Sequence, residues 1–455
     1  MLFFRRVAAV LALPVALIAL LTEVSSVSKA KQETLEAALA QELDDAFVPV
    51  FRFAIASDVH ISTSDSTTAE RLAKLFETAY RYSDSHPTYQ CLDAVLLAGD
   101  NCDSGADEEY EILKRVIKEN IREDTQLVTV MGNHEFAKTG LEGYEKQMGE
   151  PRDKHVVIKG FHIIGLSPNP TDTWHTPDQL FWLWRELRKA EKDAPDKPIF
   201  TMQHGHIWKT VYVSRSWYTQ MSVPLHLVYA QFPQVINFSG HSHGPVNNPL
   251  EIWQNQYTQL GTGTLNYFEM ERDIGDNTVP EGSRNAAQYL IVEVDAQNRV
   301  RIQPFNLLTD DFFRTPSNTD DPEQQLLWQI DDVFDTSNYV YTSARRKTAT
   351  IPYFEADAAV TAEAAGDGKV QVTFDQAKDD ICVYGYRISF YNKSAPQKAV
   401  LVKEIYSEYY FEPMPATCSC TVDAPQAGDY IVKVVPLNVW LDAGEAIGTE
   451  LTLPE

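Results

Sequence analysis

Five of six short apolar runs in this chain end in a small cluster of Asp, Asn, His and Gly. The runs are Phe51–Ser57, Ala94–Ala98, Leu127–Met131, His162–Leu166, Ile199–Gln203 and Val235–Ser239. Runs this short and this apolar read as strands buried on both faces. Helical patterns separate them, at Ala69–Tyr82, Glu108–Glu119 and Asp178–Ala190. Thr176 followed by Pro177 is a helix start, with an N-cap hydroxyl and proline at the first helical position. Strands alternating with helices predict an α/β domain whose helices cover the sheet faces. In such sheets ligands bind beyond the carboxyl ends of the strands, so the polar clusters should meet along one edge.

The clusters are Asp58-Val59-His60, Gly99-Asp100-Asn101-Cys102-Asp103, Gly132-Asn133-His134-Glu135, His204-Gly205-His206 and Gly240-His241-Ser242-His243. Carboxylate oxygens and imidazole nitrogens suit Zn, Mn and Fe. Glycines beside them permit tight turns and close backbone approach. Each cluster alone is unremarkable, since a solvated loop explains any one of them. Five in order, each directly after a strand pattern, would take five coincidences.

With these blocks in place the chain resembles the calcineurin-like metallophosphoesterase family over about residues 50–310. The resemblance implies a four-layer α/β/β/α sandwich holding two metal ions, Mn, Fe or Zn, at the strand ends. It places Asp58, His60 and His243 on the first metal and Asn133, His204 and His241 on the second, with Asp100 bridging. It implies hydrolysis of phosphomonoesters or phosphodiesters by a hydroxide that the metal pair supplies. His134 would face the reaction without binding metal, as a catalytic acid, and Asp103 would orient it. A helix N-cap is the alternative role for Asp103. The second block departs from purple acid phosphatases, which carry Tyr where Asp103 stands, so a tyrosinate-ligated ferric ion is not expected.

His206 is either a substrate-phosphate contact or a loop histidine. Residues 207–232 are unusually aromatic, and Trp208, Tyr212, Trp217, Tyr218 and Tyr229 could stack a substrate or form a satellite core. Trp174 and His175 pose the same choice. Arg215 is the best candidate there for a bidentate phosphate contact.

The N-terminus has the pattern of an export signal. Arg5 and Arg6 precede an apolar run, Val7–Leu21, which is shorter than the roughly 20 residues a spanning helix needs. Small residues follow, so residues 1–30 are expected to be a signal peptide and the protein secreted. An uncleaved membrane anchor is the alternative. Residues 31–49 read as a polar helical spacer and 311–355 as an acidic connector. Net charge is −25. A surface so acidic argues against binding a nucleic-acid backbone, which needs Lys and Arg to displace counterions. It leaves a small phosphoester substrate open, because bound cations reverse the local sign.

From about residue 356 the apolar period becomes two. Val370–Phe374, Val383–Phe390, Ala399–Glu404, Ser419–Val422 and Tyr430–Val435 predict an antiparallel β-sandwich over residues 356–455. The stretches Val383–Ile388 and Gly428–Val434 resemble a fibronectin type III domain, although Phe374 stands where that family usually has a core Trp. Such a module would serve as a spacer or touch a cell surface or polysaccharide. Cys382 could pair with Cys418 or Cys420 in an oxidising compartment. The competing functions are a non-catalytic metal-containing binding or adhesion protein and a membrane-anchored phosphodiesterase acting on lipid head groups.

Overall fold

The structure is a computed structural model. It describes residues 46–454, apart from 170–173, 275–277, 286, 317, 318, 320 and 322. The expected signal peptide and nearly all of the spacer lie outside the described residues.

Two mixed sheets stack face to face. The first runs β12-β11-β10-β1-β2-β3, with β13 also paired to β11. Its strands are β1 (Pro49–Ala56), β2 (Ala94–Ala98), β3 (Gln126–Val130), β10 (Gln288–Asp295), β11 (Val300–Asn306), β12 (Asp311–Phe312) and β13 (Trp328–Ile330). The second runs β4-β5-β6-β7-β9-β8. It comprises β4 (Lys154–Ile158), β5 (Phe161–Leu166), β6 (Ile199–Gln203), β7 (Val235–Ser239), β8 (Ile252–Gln254) and β9 (Thr258–Gly261). β1, β2 and β3 are mutually parallel, as are β5, β6, β7 and β9.

Alternation explains the layers. Phe51, Phe53 and Ile55 of β1 point inward, with Leu96, Phe200, Met202 and Phe238, into a core between the sheets. Ala54, Ala56, Val95 and Leu97 point outward, onto α1 (Thr67–Ser85) and α2 (Asp107–Asn120). Ile164, Leu166 and Val235 face α4 (Pro177–Asp193) and α5 (Ser222–Tyr229) on the other outer face. Both faces of each central strand are therefore buried, which is why the sequence shows continuous apolar runs there. The short α3 (Gly140–Met148) follows the third cluster. Helix α4 starts as expected: Thr176 accepts from Gln179 N, and Pro177 opens the first turn.

Residues 311–330, read from sequence as connector, supply β12 and β13 to the first sheet. A second unit follows. It has a three-stranded sheet of β14 (Val360–Gly366), β15 (Lys369–Asp375) and β18 (Thr417–Asp423). A four-stranded sheet completes it, with β16 (Gly385–Asn392), β17 (Ala399–Tyr406), β19 (Gly428–Leu437) and β20 (Ile447–Leu453). Phe374, Tyr386, Ile388, Val432 and Val434 fill the space between these sheets. All five cysteines are free thiols, so the pairing considered for Cys382 is absent. No helix among the described residues is long and apolar enough to cross a membrane.

Candidate metal centre

The carboxyl ends of β1, β2, β3, β6 and β7 meet at one edge, and each brings the cluster that follows it in sequence. Asp58, His60 and His243 form one group whose ligand-type atoms lie within 4.8 Å of one another. Asp100, His204 and His241 form a second, and His60, Asp100 and His134 a third that overlaps both. Asp58, His60, Asp100, His241 and His243 all have left-handed backbones, with φ of 52°, 52°, 49°, 72° and 53°. Non-glycine residues adopt this region at a cost, and persist there when their surroundings over-determine them. Here the surroundings are the neighbouring turns. Asp58 N donates to Gly99 O at 3.0 Å, and His60 N to Asp100 O at 2.9 Å.

Hydrogen bonds aim the side chains. His204 Nδ1–H donates to Ala98 O at 2.9 Å, and His243 Nδ1–H to Tyr267 O at 2.8 Å. Those carbonyls can only accept, so in the neutral rings each Nε2 keeps a lone pair directed into the site. Asp58 Oδ2 accepts from His241 N at 3.0 Å and from the Ser57 hydroxyl. Asp100 Oδ1 accepts from His134 N at 2.9 Å. Each carboxylate thus has one oxygen held by backbone and the other facing inward. Among the described residues Asn133 Oδ1 is buried without a hydrogen-bond partner, while Asp58 Oδ1 and His204 Nε2 face only other ligand-type atoms, His243 Nε2 at 3.2 Å and Asp100 Oδ2 at 3.1 Å. Buried polar atoms are normally satisfied, and these three are the atom types a borderline divalent cation takes. The residues present fit a metal.

The electrostatics have the same character. Burial pushes Asp58 up, but His243 and His204 outweigh it and hold its carboxyl well below the usual range. Asp100 is likewise depressed against its burial, by His204, His60 and His134. Burial opposes it, yet Asp100 and Asp58 push His204 up to about 9. Two carboxylates with imidazoles this close favour positive charge at the centre. His241 goes the other way, driven down to about 3 by burial.

Glu135 stands in the third cluster, where the sequence assigns it no role. It is fully buried, and accepts from Cys102 N at 2.8 Å and Gly132 N at 2.7 Å. It pins the second and third clusters together. Burial and Asp100 push its carboxyl up to about 7. Asn101 adds a tie, donating to Val130 O at 2.8 Å.

Three sequence assignments change. His134 Nδ1 donates at 2.6 Å to the backbone carbonyl of Asp103, not to its carboxylate. The Asp103 carboxylate lies 3.4 Å from His60 Nδ1 and 3.9 Å from His134 Nδ1. His206 is fully buried, with Nδ1 at 2.5 Å from Ser239 Oγ and Nε2 at 2.6 Å from Ser242 Oγ. Both ring nitrogens are engaged internally, and burial lowers its pKa to about 3, so it has nothing to offer a phosphate. Arg215 is exposed and makes no hydrogen bond or ion pair with the site among the described residues.

The aromatic candidates divide. Tyr229 packs in the outer core beside α4, and Tyr212 packs against the C-terminal unit. Trp208 and Tyr218 are exposed. Trp174 and Trp217 flank His241, with ring centroids 4.9 and 5.1 Å away. Tyr267, also missed, lies 4.3 Å from His243. His175 is fully buried.

Comparison with known proteins follows this geometry. "Probable glycerophosphodiester phosphodiesterase GpdQ" of Arcobacter nitrofigilis is 28% identical over 144 residues, 28% of this chain and 50% of that protein. The chain therefore spans about half the length of this curated relative. Purple acid phosphatase PPD1 from yellow lupin (Lupinus luteus) seeds is 11% identical with a TM-score of 0.43, covering 58% of this chain and 52% of that one. The third fibronectin III domain of human KIAA0343 protein is 16% identical with a TM-score of 0.18, covering 23% and 85%. Neither structural likeness is close enough to decide fold or chemistry. The calcineurin-like phosphoesterase family model matches residues 51–245, a span that contains every cluster of the strand-end site. The likeness to the calcineurin-like phosphoesterase family thus lies in residues 51–245, the stretch that brings these clusters to one edge.

Proposed function

We propose that this protein is a metal-dependent phosphoester hydrolase with a dinuclear centre. One observation carries the reading: the groups Asp58–His60–His243 and Asp100–His204–His241 lie side by side, linked through His60 and Asp100. Asn133 completes the set, its buried Oδ1 unpartnered. Two divalent cations held there would clamp phosphoryl oxygens and make water nucleophilic near neutral pH.

The chain's own groups supply the rest. Asp100, with one oxygen bound to His134 N, presents the other to the second group, 3.1 Å from His204 Nε2. His134 keeps its Nδ1–H on the Asp103 carbonyl, so a proton it passes to the leaving group would travel on Nε2, which lies 3.9 Å from Asp100 Oδ2. From there it protonates the departing alkoxide, which otherwise leaves as a strong base. The Asp103 carboxylate steadies His60 and only secondarily His134. We place the reaction outside the cytoplasm on the N-terminal sequence. We also read the C-terminal unit as fibronectin type III-like, a reading supported by its sheets of three and four strands.

The test is hydrolysis of p-nitrophenyl phosphate and bis-p-nitrophenyl phosphate. The protein is stripped of metal, then restored with Mn, Fe or Zn. Activity should return with metal. Asp100→Asn should abolish it, and His134→Gln should lower kcat by roughly 10²- to 10⁴-fold. Bound metal without turnover of either ester would refute the reading.

A further inference from the structure

We infer that Trp217 is a specificity-determining residue of this site, and that the C-terminal sandwich holds it in place. The inference rests on the phosphoesterase reading for the substrate and on packing alone for the brace.

Trp217 is half-buried, and its ring meets His241 edge-on at 5.1 Å, 82° between planes. Its Nε1–H donates to Glu269 Oε2 at 3.0 Å. Glu269 N in turn donates to the carbonyl of His243 at 3.1 Å. The indole is thereby tied to the strap Glu269–Asp273, which starts at one candidate ligand, while its ring lies against another. A flat apolar face beside the second metal group suits a planar or apolar alcohol on the phosphoester.

The other side of the strap belongs to the C-terminal unit. Glu271 N donates to Tyr212 Oη at 3.0 Å, so the Tyr212 proton points to Tyr384 Oη, 2.8 Å away. Tyr384 then donates to Asp273 Oδ1 at 2.7 Å. The chain starts and ends on the strap and passes through one tyrosine from each unit. Tyr406 adds a bond to Glu271 O at 2.6 Å. All three tyrosines are buried, in one cluster with Phe268, Met270, Cys382 and Tyr409.

A second observation is independent of these bonds. Val213, in that cluster, has φ 57°. A β-branched residue at positive φ is a genuine outlier and survives only where packing imposes it. Its carbonyl receives Ser216 N and Trp217 N, both at 3.0 Å. The strained turn is what brings Trp217 back to the metal edge, and the sandwich packs against that turn. Function and appended domain are joined here, so the domain is part of the substrate wall.

The experiment uses the full chain and the p-nitrophenyl and glyceryl esters of whichever phosphate class the wild type hydrolyses. Trp217→Ala should raise KM for the p-nitrophenyl ester about fivefold, with kcat and the glyceryl KM moving far less. Trp217→Phe should recover most of that loss. Tyr384→Phe combined with Tyr406→Phe should shift KM in the same direction. It should also speed amide hydrogen exchange in 211–217 and 269–273 about tenfold, leaving β1 and β2 unchanged. Equal KM changes for both esters would overturn the specificity role. Unchanged exchange in those two segments would overturn the brace. A wild type inert toward every ester would overturn the phosphoesterase reading and the selectivity with it, while the exchange result would still decide the brace.

Discussion

Gly132→Ala tests whether the site depends on backbone contact between two strand ends. The alanine Cβ would lie 2.1 Å from Asp100 Oδ1 and 2.2 Å from Asp100 N. Ordinary contacts to carbon fall near 3.5 Å, so something must move by about 1 Å. A rotamer change of Asp100 relieves only the first clash, because its nitrogen is main chain. That main chain is held at its neighbouring atoms, since His60 N bonds Asp100 O and Asp58 N bonds Gly99 O. The third cluster is held equally, with Glu135 locking Gly132 N to the second. The shift therefore falls on Asp100 or Asn133, the two residues that the proposed function puts on the metals. A misplacement of about 1 Å in reacting groups costs on the order of 10²-fold in rate. Overpacking of this kind costs roughly 1–3 kcal/mol of stability. We expect kcat/KM to fall about 100-fold and bound metal to drop, read by steady-state hydrolysis and by elemental analysis after dialysis. Gly149→Ala is the control: its Cβ meets nothing within 4 Å, and only its φ of 70° is strained. That variant should keep its metal and rate. A folded Gly132→Ala protein with full metal content and a rate within threefold of wild type would refute the reasoning.

Glu293→Gln should cost about 3–5 kcal/mol in urea unfolding, because it strands the fully buried Arg52 guanidinium, whose Nη2 lies 2.7 Å from Glu293 Oε1. A loss under 1 kcal/mol would mean that the carbonyls of Tyr89 and Cys91 satisfy that charge by themselves. His206→Ala should destabilise by about 1–3 kcal/mol by taking one partner from each of the buried Ser239 and Ser242 hydroxyls, which keep their bonds from Gln259 Nε2 and Gly244 N. Inhibition by inorganic phosphate should keep its constant in that variant, and a large rise would restore His206 as a phosphate contact. Burial raises Glu186, but His155 and Lys189 outweigh it and hold its carboxyl below the ordinary value. A depressed carboxylate stabilises above its unfolded pKa, near 4.3, and that contribution fades as pH falls through the lower folded value. The Tm gap between wild type and Glu186→Gln, present at about pH 6, should therefore close below about pH 4; a gap that persists there would contradict the assignment.

The strand-end clusters were legible in the sequence because their signal is local. A buried strand ends, a glycine allows the turn, and the next polar side chain faces the sheet edge. That rule needs only neighbouring residues, and it located the five clusters; the family resemblance singled out Asp58, His60, Asp100, Asn133, His204, His241 and His243 within them. The buried strands were legible for the same reason, since a strand covered on both faces must be apolar throughout, whereas their division into two stacked sheets was implied only by the family resemblance. Short or exposed elements were not. β14 and β20 bury few of their residues, and β13 has three residues, so their patterns are weak.

His204 and His206 mark the boundary between the two kinds of knowledge. Two residues apart after the same strand, they are indistinguishable locally. Ser239 and Ser242, from the next strand end, take both nitrogens of His206, whereas the Ala98 carbonyl takes only one of His204. Asp103 is similar, since only its position in the folded turn shows that its carbonyl, not its carboxylate, meets His134. Trp217 lies furthest from sequence reading. Its place depends on Glu269, 52 residues later, and on a turn packed against the C-terminal cluster of Tyr384. Sequence periodicity reports which face of a strand is covered, and therefore determined the buried strands and the polar edge at their ends. Which long-range partner satisfies each polar group is a property of packing, and only the tertiary structure decided it.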